Sequence, residues 1–452
     1  MGGGLSGTLA AAELLIRART PLHVTLVERS GTIGAGVAYG TSCPDHFLNV
    51  RAAGMSAVAG DPDHLLAWLR GPGREAARRW GTTIDPQAFL PRGLYAEYAR
   101  ARLLAAAEGA AAGVSLDVAV LEARAVERGS EALRVLLSDG QALSAEHVVL
   151  ALGNPAPRHP ADHPSPFHPD SRYIPDPWSE EALRGLSADA AVLIVGTSLT
   201  MIDLVVALVR RGHRGTIHAV SRHGLLPREH ALPASGLPAP PPGPTPRVVR
   251  GLLRALRQAS KREAGGWRAA IDALRPRTQE IWVALPPGER GRFLRHARPY
   301  WETHRHRGVP ANLRDLERLL ASGRLRIHAG HVVRFEEKTT SASAEIRLRG
   351  SERVLQLEVE RILNATGPEG DYRRAGMAIV DRLFRDGMAR PGSLGLGLDA
   401  TAEGALLDSS GRPSEILSTL GPPLRGVLWE TTAVPEIRVQ AARLAERLLG
   451  PR

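Results

Sequence analysis

Cysteine is almost absent from this chain, with Cys43 the only one among 452 residues. A lone thiol excludes an intrachain disulfide, a Cys-x-x-Cys redox pair and a zinc site built on thiolates. Lysine is nearly missing as well, since Lys261 and Lys338 are the only two, although the formal net charge is +11. The positive charge is therefore arginine, scattered along the chain without a run. That pattern reads as compositional bias with room for phosphate-type anions, and it does not call for a nucleic-acid partner. No stretch approaches the roughly eighteen consecutive apolar residues of a membrane-crossing helix. The first residues are glycines, where a secretory leader would place a basic segment and an apolar core, so the cytosol is the expected compartment.

What is present is a globular composition, 43% hydrophobic and 23% charged, long enough for two or three domains. The opening "MGGGLSGTLAAAELL" spaces Gly2, Gly4 and Gly7 as G-x-G-x-x-G, the turn between the first strand and the first helix of a dinucleotide-binding βαβ unit. A lone glycine pattern is weak evidence. Here it is followed by the helix former "TLAAAELLIRA" and by "LHVTLVER", a short buried-strand pattern that ends in Glu28. Glu28 stands close to the roughly twenty residues downstream at which an acid binds ribose hydroxyls. Gly2 permits the tight turn, Gly4 admits a pyrophosphate to backbone N–H groups, and Gly7 lets the helix pack closely. A carboxylate accepts from a ribose diol and repels a 2′-phosphate, so this first site suits FAD or NAD. It draws on Gly2, Gly4, Ser6, Gly7, Glu28 and Arg29. Met1 stands where the preceding strand should end, so the first strand of this unit is expected to be missing.

A second unit of the same design begins at "AVLIVGTSLTMIDLVVALVRRGHRGTIHAVSRHG". Ala191 to Val195 read as a buried strand, Gly196 as the turn, Leu199 to Val209 as a helix and "TIHAVSR" as the next strand. Ser198 and Met201 occupy the second and third glycine positions, which weakens the motif. The end of the second strand carries Ser221, Arg222 and His223 where the first unit has Glu28 and Arg29. A hydroxyl and cations suit a 2′-phosphate, pointing to NADPH, while Arg222 also reads as a solvated loop residue. This second site draws on Gly196, Ser198, Leu199, Ser221 and Arg222.

Two further segments, "HVVLALGNPAP" and "RILNATGPEGDY", run from a buried strand into a small-residue turn at Gly153 and Gly367. Flanking the second unit on both sides, they imply an NAD(P) domain inserted into a discontinuous FAD domain. The fold expected is α/β with two Rossmann-like domains: residues 1–185 and 361–452 for FAD, and 186–360 for NAD(P), with a helical insertion at about 230–310.

Together with "ERSGTIGAGVAYGTSCPDHFLNVRAAGMSA", "FLPRGLYAEYAR", "RFLRHARPYWETHRHR" and "GPPLRGVLWETTAVPEIRVQAARLA", these segments resemble a bacterial family of FAD/NAD(P)-binding proteins of unassigned function. The resemblance covers essentially the whole chain. That family is related in fold to flavin-containing and N-hydroxylating monooxygenases, and its members are sometimes labelled hydroxyacylglutathione hydrolases. The hydrolase label fails on chemistry, because His304 and His306 have no third ligand nearby and no metal site is expected. The resemblance implies a strand ahead of Gly2, so a wrongly assigned start is expected over a natural truncation. A chain truly starting here is expected to bind flavin poorly.

The resemblance also places the loop after Glu28 under the flavin, with Asn49 and Ser56 as polar contacts; His46 and Asn49 equally suit turn stabilisation. It puts Gly421, Glu430, Thr431 and Val434 near the flavin at the start of a C-terminal helix, with Thr432 as a plausible cap and Pro435 in its first turn. The Pro-rich stretch from His230 to Val249 reads as a mobile loop over the domain junction. Arg292, Arg295, Arg298, Arg305 and Arg307 suit an anionic small-molecule substrate or the cofactor phosphates, or form a solvated basic face. The reading as a whole is of an FAD-dependent, NADPH-using oxidoreductase, with a monooxygenase of an amine-like nucleophile ahead of a reductase or a non-enzymatic flavin-binding protein. The catalytic residues and the oligomeric state are left open.

Overall fold

Leucine and alanine dominate Leu5–Arg17, and these helix formers give α1, which ends ahead of Pro21. The computed structural model to which it belongs describes residues 1–130, 132–161, 172–231, 247–262 and 265–450. These form two compact units, Met1–Pro155 with Glu369–Arg452, and Ala156–Pro368. The Pro-rich stretch read as a loop over the junction lies, at 232–246, outside the described residues.

In the first unit α1 leads to strand β1 (Leu22–Val27) and, through α2 (Gly36–Tyr39), α3 (His64–Arg70), α4 (Arg74–Arg79) and α5 (Arg92–Glu108), to β2 (Val114–Ala119). Strands β1 and β2 are parallel, Leu22 opposite Val114. An antiparallel sheet follows, β3 (Ala123–Arg128), β4 (Leu133–Leu137) and β5 (Ala142–Ala145), and then β6 (Val148–Leu150). Leu5, Leu9, Ala12 and Leu15 are buried, which fixes α1 as a central helix packed on α5. Its buried Glu13 accepts hydrogen bonds from Arg17 at 2.7 Å and from Arg102 of α5 at 2.5 Å.

The second unit holds β7 (Tyr173–Ile174), β8 (Val192–Val195), α6 (Leu199–Arg210) and β9 (Ile217–Ser221). Helices α7 (Val249–Arg262), α8 (Gly266–Leu274), α9 (Thr278–Ala284), α10 (Pro287–Arg292), α11 (Arg298–Arg305) and α12 (Pro310–Ala321) then lead to β10 (Leu325–Glu337). The hairpin strands β11 (Ala342–Leu348) and β12 (Val354–Val359) and the strand β13 (Arg361–Asn364) complete a seven-stranded sheet of order β12-β11-β10-β9-β8-β13-β7. Strands β7, β13, β8, β9 and β10 run parallel. Every residue of β8 is buried, as a parallel strand covered on both faces requires.

The chain returns to the first unit with α13 (Ala378–Arg385), β14 (Ala405–Leu407), β15 (Pro413–Thr419) and α14 (Val434–Leu449), and α14 packs on α1. Strand β15 pairs in parallel with β6. The Met1 amino group donates to the Val149 carbonyl and the Met1 carbonyl accepts from Ala151, both at 2.8 Å, while Gly2 N–H donates to Val27 at 2.8 Å. Residues 1 and 2 thus carry backbone hydrogen bonds to β6 on one side and β1 on the other.

The junctions fall at 155/156 and 368/369, where 185/186 and 360/361 were expected. The cause is strand pairing: Tyr173 pairs with Ile362, and Arg361 with Val192, so both flanking segments add strands to the second unit's own sheet. "RILN" is accordingly a strand of the second unit and not of the first. No helix among the described residues is long and apolar enough to cross a membrane.

Candidate functional site

The glycine turn of the first unit is built by close approach. A Cβ on Gly7 would stand 1.9 Å from the Gly2 carbonyl oxygen, and one on Gly2 would stand 2.3 Å from the Ala151 carbonyl oxygen, so no larger residue fits either position. Gly4 caps α1 with no side-chain hydrogen bond, and no acidic residue lies in the first turn. The N-terminal N–H groups of α1 therefore have no anion from the helix's own first turn to complement them, an arrangement that suits a pyrophosphate.

Glu28 follows the last residue of β1 and turns back toward that glycine turn. Its Oε2 accepts from Gly3 N–H at 2.6 Å, and its Oε1 accepts from the N–H and hydroxyl of Ser30 at 2.8 Å. Oε1 thereby uses both of its lone pairs, and Oε2 keeps one for a ribose hydroxyl. Gly3 O in turn accepts from Gly34 N–H at 2.8 Å and from Thr8 Oγ1 at 2.9 Å, so the "GTIGAG" loop closes onto the turn. Arg29 points elsewhere and lies 3.7 Å from Glu122.

A second cluster joins the same unit at the start of α14. Gly421 N–H donates to Gln440 Oε1, Gln440 Nε2 donates to Thr431 Oγ1, and Thr431 Oγ1 donates to the Gly421 carbonyl, all at 2.8 Å. Ser6 of α1 sits against Gly421, where an added Cβ would meet its Oγ at 2.5 Å. Glu430, Thr431 and Val434 are buried. The structure thus brings Gly2, Gly4, Ser6, Gly7, Glu28, Gly421 and Thr431 together around two helix N-termini. Ala433, and not Thr432, is the cap residue of α14, and its methyl group supplies no cap bond.

The loop expected beneath the flavin is largely self-satisfied. Ser56 is fully buried and its hydroxyl donates to Asp61 O at 2.5 Å, while its carbonyl accepts from Arg438 at 2.8 Å. His46 is a turn residue, its Nδ1 2.7 Å from Thr41 Oγ1 and its carbonyl accepting from Arg92 N–H at 2.8 Å. Asn49 is half-buried just after the Phe47–Pro91 bridge. At the turn after β6, the Gly153 carbonyl accepts from Tyr372 Oη at 2.7 Å.

In the second unit Gly196 follows β8, where a Cβ would stand 2.0 Å from the Ala365 carbonyl oxygen of the adjacent strand end. Ser198 is the cap residue of α6, exposed and making no side-chain cap bond, and Leu199 begins the helix. Met201, in the third glycine position, is fully buried among Val192, Ile194 and Ile217. It fills core and leaves the turn open. Ser221 differs from expectation: its hydroxyl lies 2.8 Å from Thr197 Oγ1 and accepts from Gly224 N–H at 3.1 Å, so it closes the turn. Arg222 is exposed beyond it. Burial, then the neighbouring Arg349 and Arg222, hold His223 below the usual histidine range. Gly367 makes the turn after β13 with φ +84°.

The arginine cluster of the helical region does not form one basic face. Arg292 pairs with Glu289, Arg298 lies 3.3 Å from Glu302, and the buried Arg307 donates to Asp272 at 2.9 Å. His306 is likewise held by Glu302 at 2.8 Å. Sequence reasoning missed Gln440, Thr197, Gly3 and the hairpin arginines beside Arg222. Of these only the glycine density of "GGG" and "GTIGAG" left a signal.

Residues 1–155 match the family model described as FAD-NAD(P)-binding. No curated protein is significantly similar in sequence. Among solved structures, an ornithine hydroxylase from Pseudomonas aeruginosa matches over 99% of this chain and 97% of its own, with TM-score 0.66 and 16% identity. The FAD-bound cadaverine monooxygenase from Erwinia amylovora matches over 98% of this chain and 92% of its own, with TM-score 0.66 and 12% identity. The bacillithiol disulfide reductase from Staphylococcus aureus matches over 98% and 95%, with TM-score 0.56 and 11% identity. Identities this low show a shared fold. Residues 1–155 thus carry an FAD/NAD(P)-binding domain within a larger α/β fold.

Proposed function

We propose that the protein is an FAD-dependent, NADPH-using oxidoreductase that oxygenates a small nucleophilic substrate of the amine type. The observation that carries the two-cofactor part is the contrast between two similar turns. Each joins a strand position to a helix with no side-chain cap, yet the residue just after the following strand is Glu28 in one unit and Arg222 in the other. The carboxylate selects a ribose diol, whereas the guanidinium selects a 2′-phosphate.

The residues present fit FAD. Gly2 and Gly7 admit no side chain, which keeps the turn tight, Gly4 adds none at the start of α1, α1 offers N–H groups to the pyrophosphate, and Glu28 would hold the ribose. The N-terminus of α14, locked by Gly421, Thr431 and Gln440, adds a second region of positive partial charge. FAD held there would supply two-electron redox chemistry between a nicotinamide cofactor and molecular oxygen. The chain's own contribution is binding, orientation and exclusion of water.

Oxygenation of an amine is supported by near-complete matches to an ornithine hydroxylase and a cadaverine monooxygenase. A reductase without oxygenation is the second reading, supported by the weaker match to a disulfide reductase. The single cysteine leaves no intrachain dithiol for that chemistry. NADPH consumption by FAD-loaded protein with ornithine, lysine and cadaverine, with and without oxygen, separates the two. Oxygen-dependent hydroxylamine formation supports the proposal. NADPH oxidation that needs an added electron acceptor and ignores oxygen favours the reductase.

A further inference from the structure

Beside the end of β9 lies a groove of about 530 Å³ whose lining includes Arg222, His331, Arg347, Arg349 and Glu352. Its arginines come from distant parts of the chain. Strand β10 continues past the end of β9, with Ala329 opposite Ser221, and there takes β11 as its new partner, Leu348 opposite Gly330 and Arg347 opposite His331. The close approach depends on Gly330, where a Cβ would stand 2.4 Å from the Arg347 carbonyl oxygen. Arg349 N–H then donates to Ala329 O at 2.9 Å, which folds the hairpin turn back toward Arg222.

Two other cations of this hairpin region have carboxylate partners, Arg334 with Glu345 and Lys338 with Glu358, each at 2.8 Å. Arg222, Arg347 and Arg349 have none among the described residues. Three guanidinium groups sharing one groove repel one another, and Glu352 is the one carboxylate in its lining. A phosphate monoester dianion relieves that repulsion and matches the guanidinium fork in charge and shape. Arg222 is the residue assigned above to the 2′-phosphate, while Ser221, expected to help it, is committed to Thr197 and Gly224.

We propose that Arg347 and Arg349 of the β11–β12 hairpin complete, with Arg222, a clamp for the 2′-phosphate of NADPH. The clamp rests on the NADPH reading. It assigns nucleotide selectivity to a hairpin outside the βαβ unit, so that Arg222 alone does not set the preference.

Calorimetric titration at low salt with adenosine 2′,5′-bisphosphate, ADP and inorganic phosphate tests it on the full chain. The unmodified protein is expected to prefer the 2′-phosphorylated nucleotide. Arg347→Ala and Arg349→Ala should each lower that preference roughly tenfold, with partial recovery in Arg349→Lys. If the unmodified protein shows no preference, the NADPH reading and the clamp both fall. If it shows one that Arg222→Ala abolishes and both hairpin variants retain, the clamp falls while the NADPH reading stands. Inorganic phosphate binding as tightly as the 2′-phosphorylated nucleotide would make the groove a free-phosphate site and overturn the clamp.

Discussion

Gly3 N–H donates to Glu28 Oε2 over 2.6 Å, so the glycine turn and the acid after β1 form one hydrogen-bonded unit. Glu28 therefore has two tasks, shaping the turn and receiving the ribose. Replacing it with Ala should weaken FAD binding by about 1.5–3 kcal/mol, the range for a charge-assisted hydrogen bond. Glu28→Gln retains an acceptor for Gly3 and should recover part of the loss. Flavin fluorescence titration of both variants checks this; equal FAD affinity in Glu28→Ala and the unmodified protein rejects the assignment.

Two glycine substitutions separate close approach from backbone conformation. In Gly7→Ala the new methyl would lie 1.9 Å from a carbonyl oxygen, so α1 must shift and FAD binding should be lost with a marked drop in melting temperature. In Gly153→Ala nothing lies within 4 Å and only the φ of +67° is strained. That strain costs about 1 kcal/mol. Thermal unfolding of the two variants should rank them in that order.

Ser198 is exposed at the cap of α6 and its hydroxyl makes no cap bond, so removing it costs the helix little, a few tenths of a kcal/mol at most. With the Cβ gone, the turn after Gly196 opens toward a pyrophosphate. Ser198→Gly should bind NADPH more tightly and show faster flavin reduction at low NADPH. Stopped-flow reduction across an NADPH series measures both quantities, and unchanged values in the variant would place the pyrophosphate elsewhere.

His147 gives the first unit a pH-dependent term. Burial first, and Arg447 second, push its pKa from 6.5 down to about 4. Arg447 donates to Ser418 Oγ at 2.5 Å and Ser418 lies 2.8 Å from His147 Nε2, which suits a neutral ring accepting at that nitrogen. The fold therefore favours the uncharged form. Its stability is full above pH 6.5, falls as pH drops toward 4, and levels off below. The loss has an upper bound of about 3 kcal/mol, reduced to about 1–2 by solvent screening of a half-buried ring. Denaturant unfolding between pH 7 and 4 should show this slope, flattened in His147→Gln.

The legible parts of this molecule are those carried by local pattern. Leu5–Arg17, Leu22–Val27, Val192–Val195 and Ile217–Ser221 stand out because largely apolar runs and helix formers alternate with glycine turns. Sheet membership was not legible. "RILN" reads as a buried strand in any sheet, and only its pairing with Val192–Val195 assigns it to the second unit. Hydroxyls misled for a related reason: Ser56 and Ser221 look like free ligands in sequence, yet both are spent on nearby loop atoms. Arg347 and Arg349 join Arg222 through strand register, which no local window contains.

Anaerobic mixing of FAD-loaded protein with NADPH, followed by the visible flavin absorbance, tests the central claim most directly. The account predicts that NADPH bleaches the flavin band well ahead of NADH and that admitting oxygen restores it. A flavin-loaded protein whose band is left unchanged by both nucleotides would contradict it.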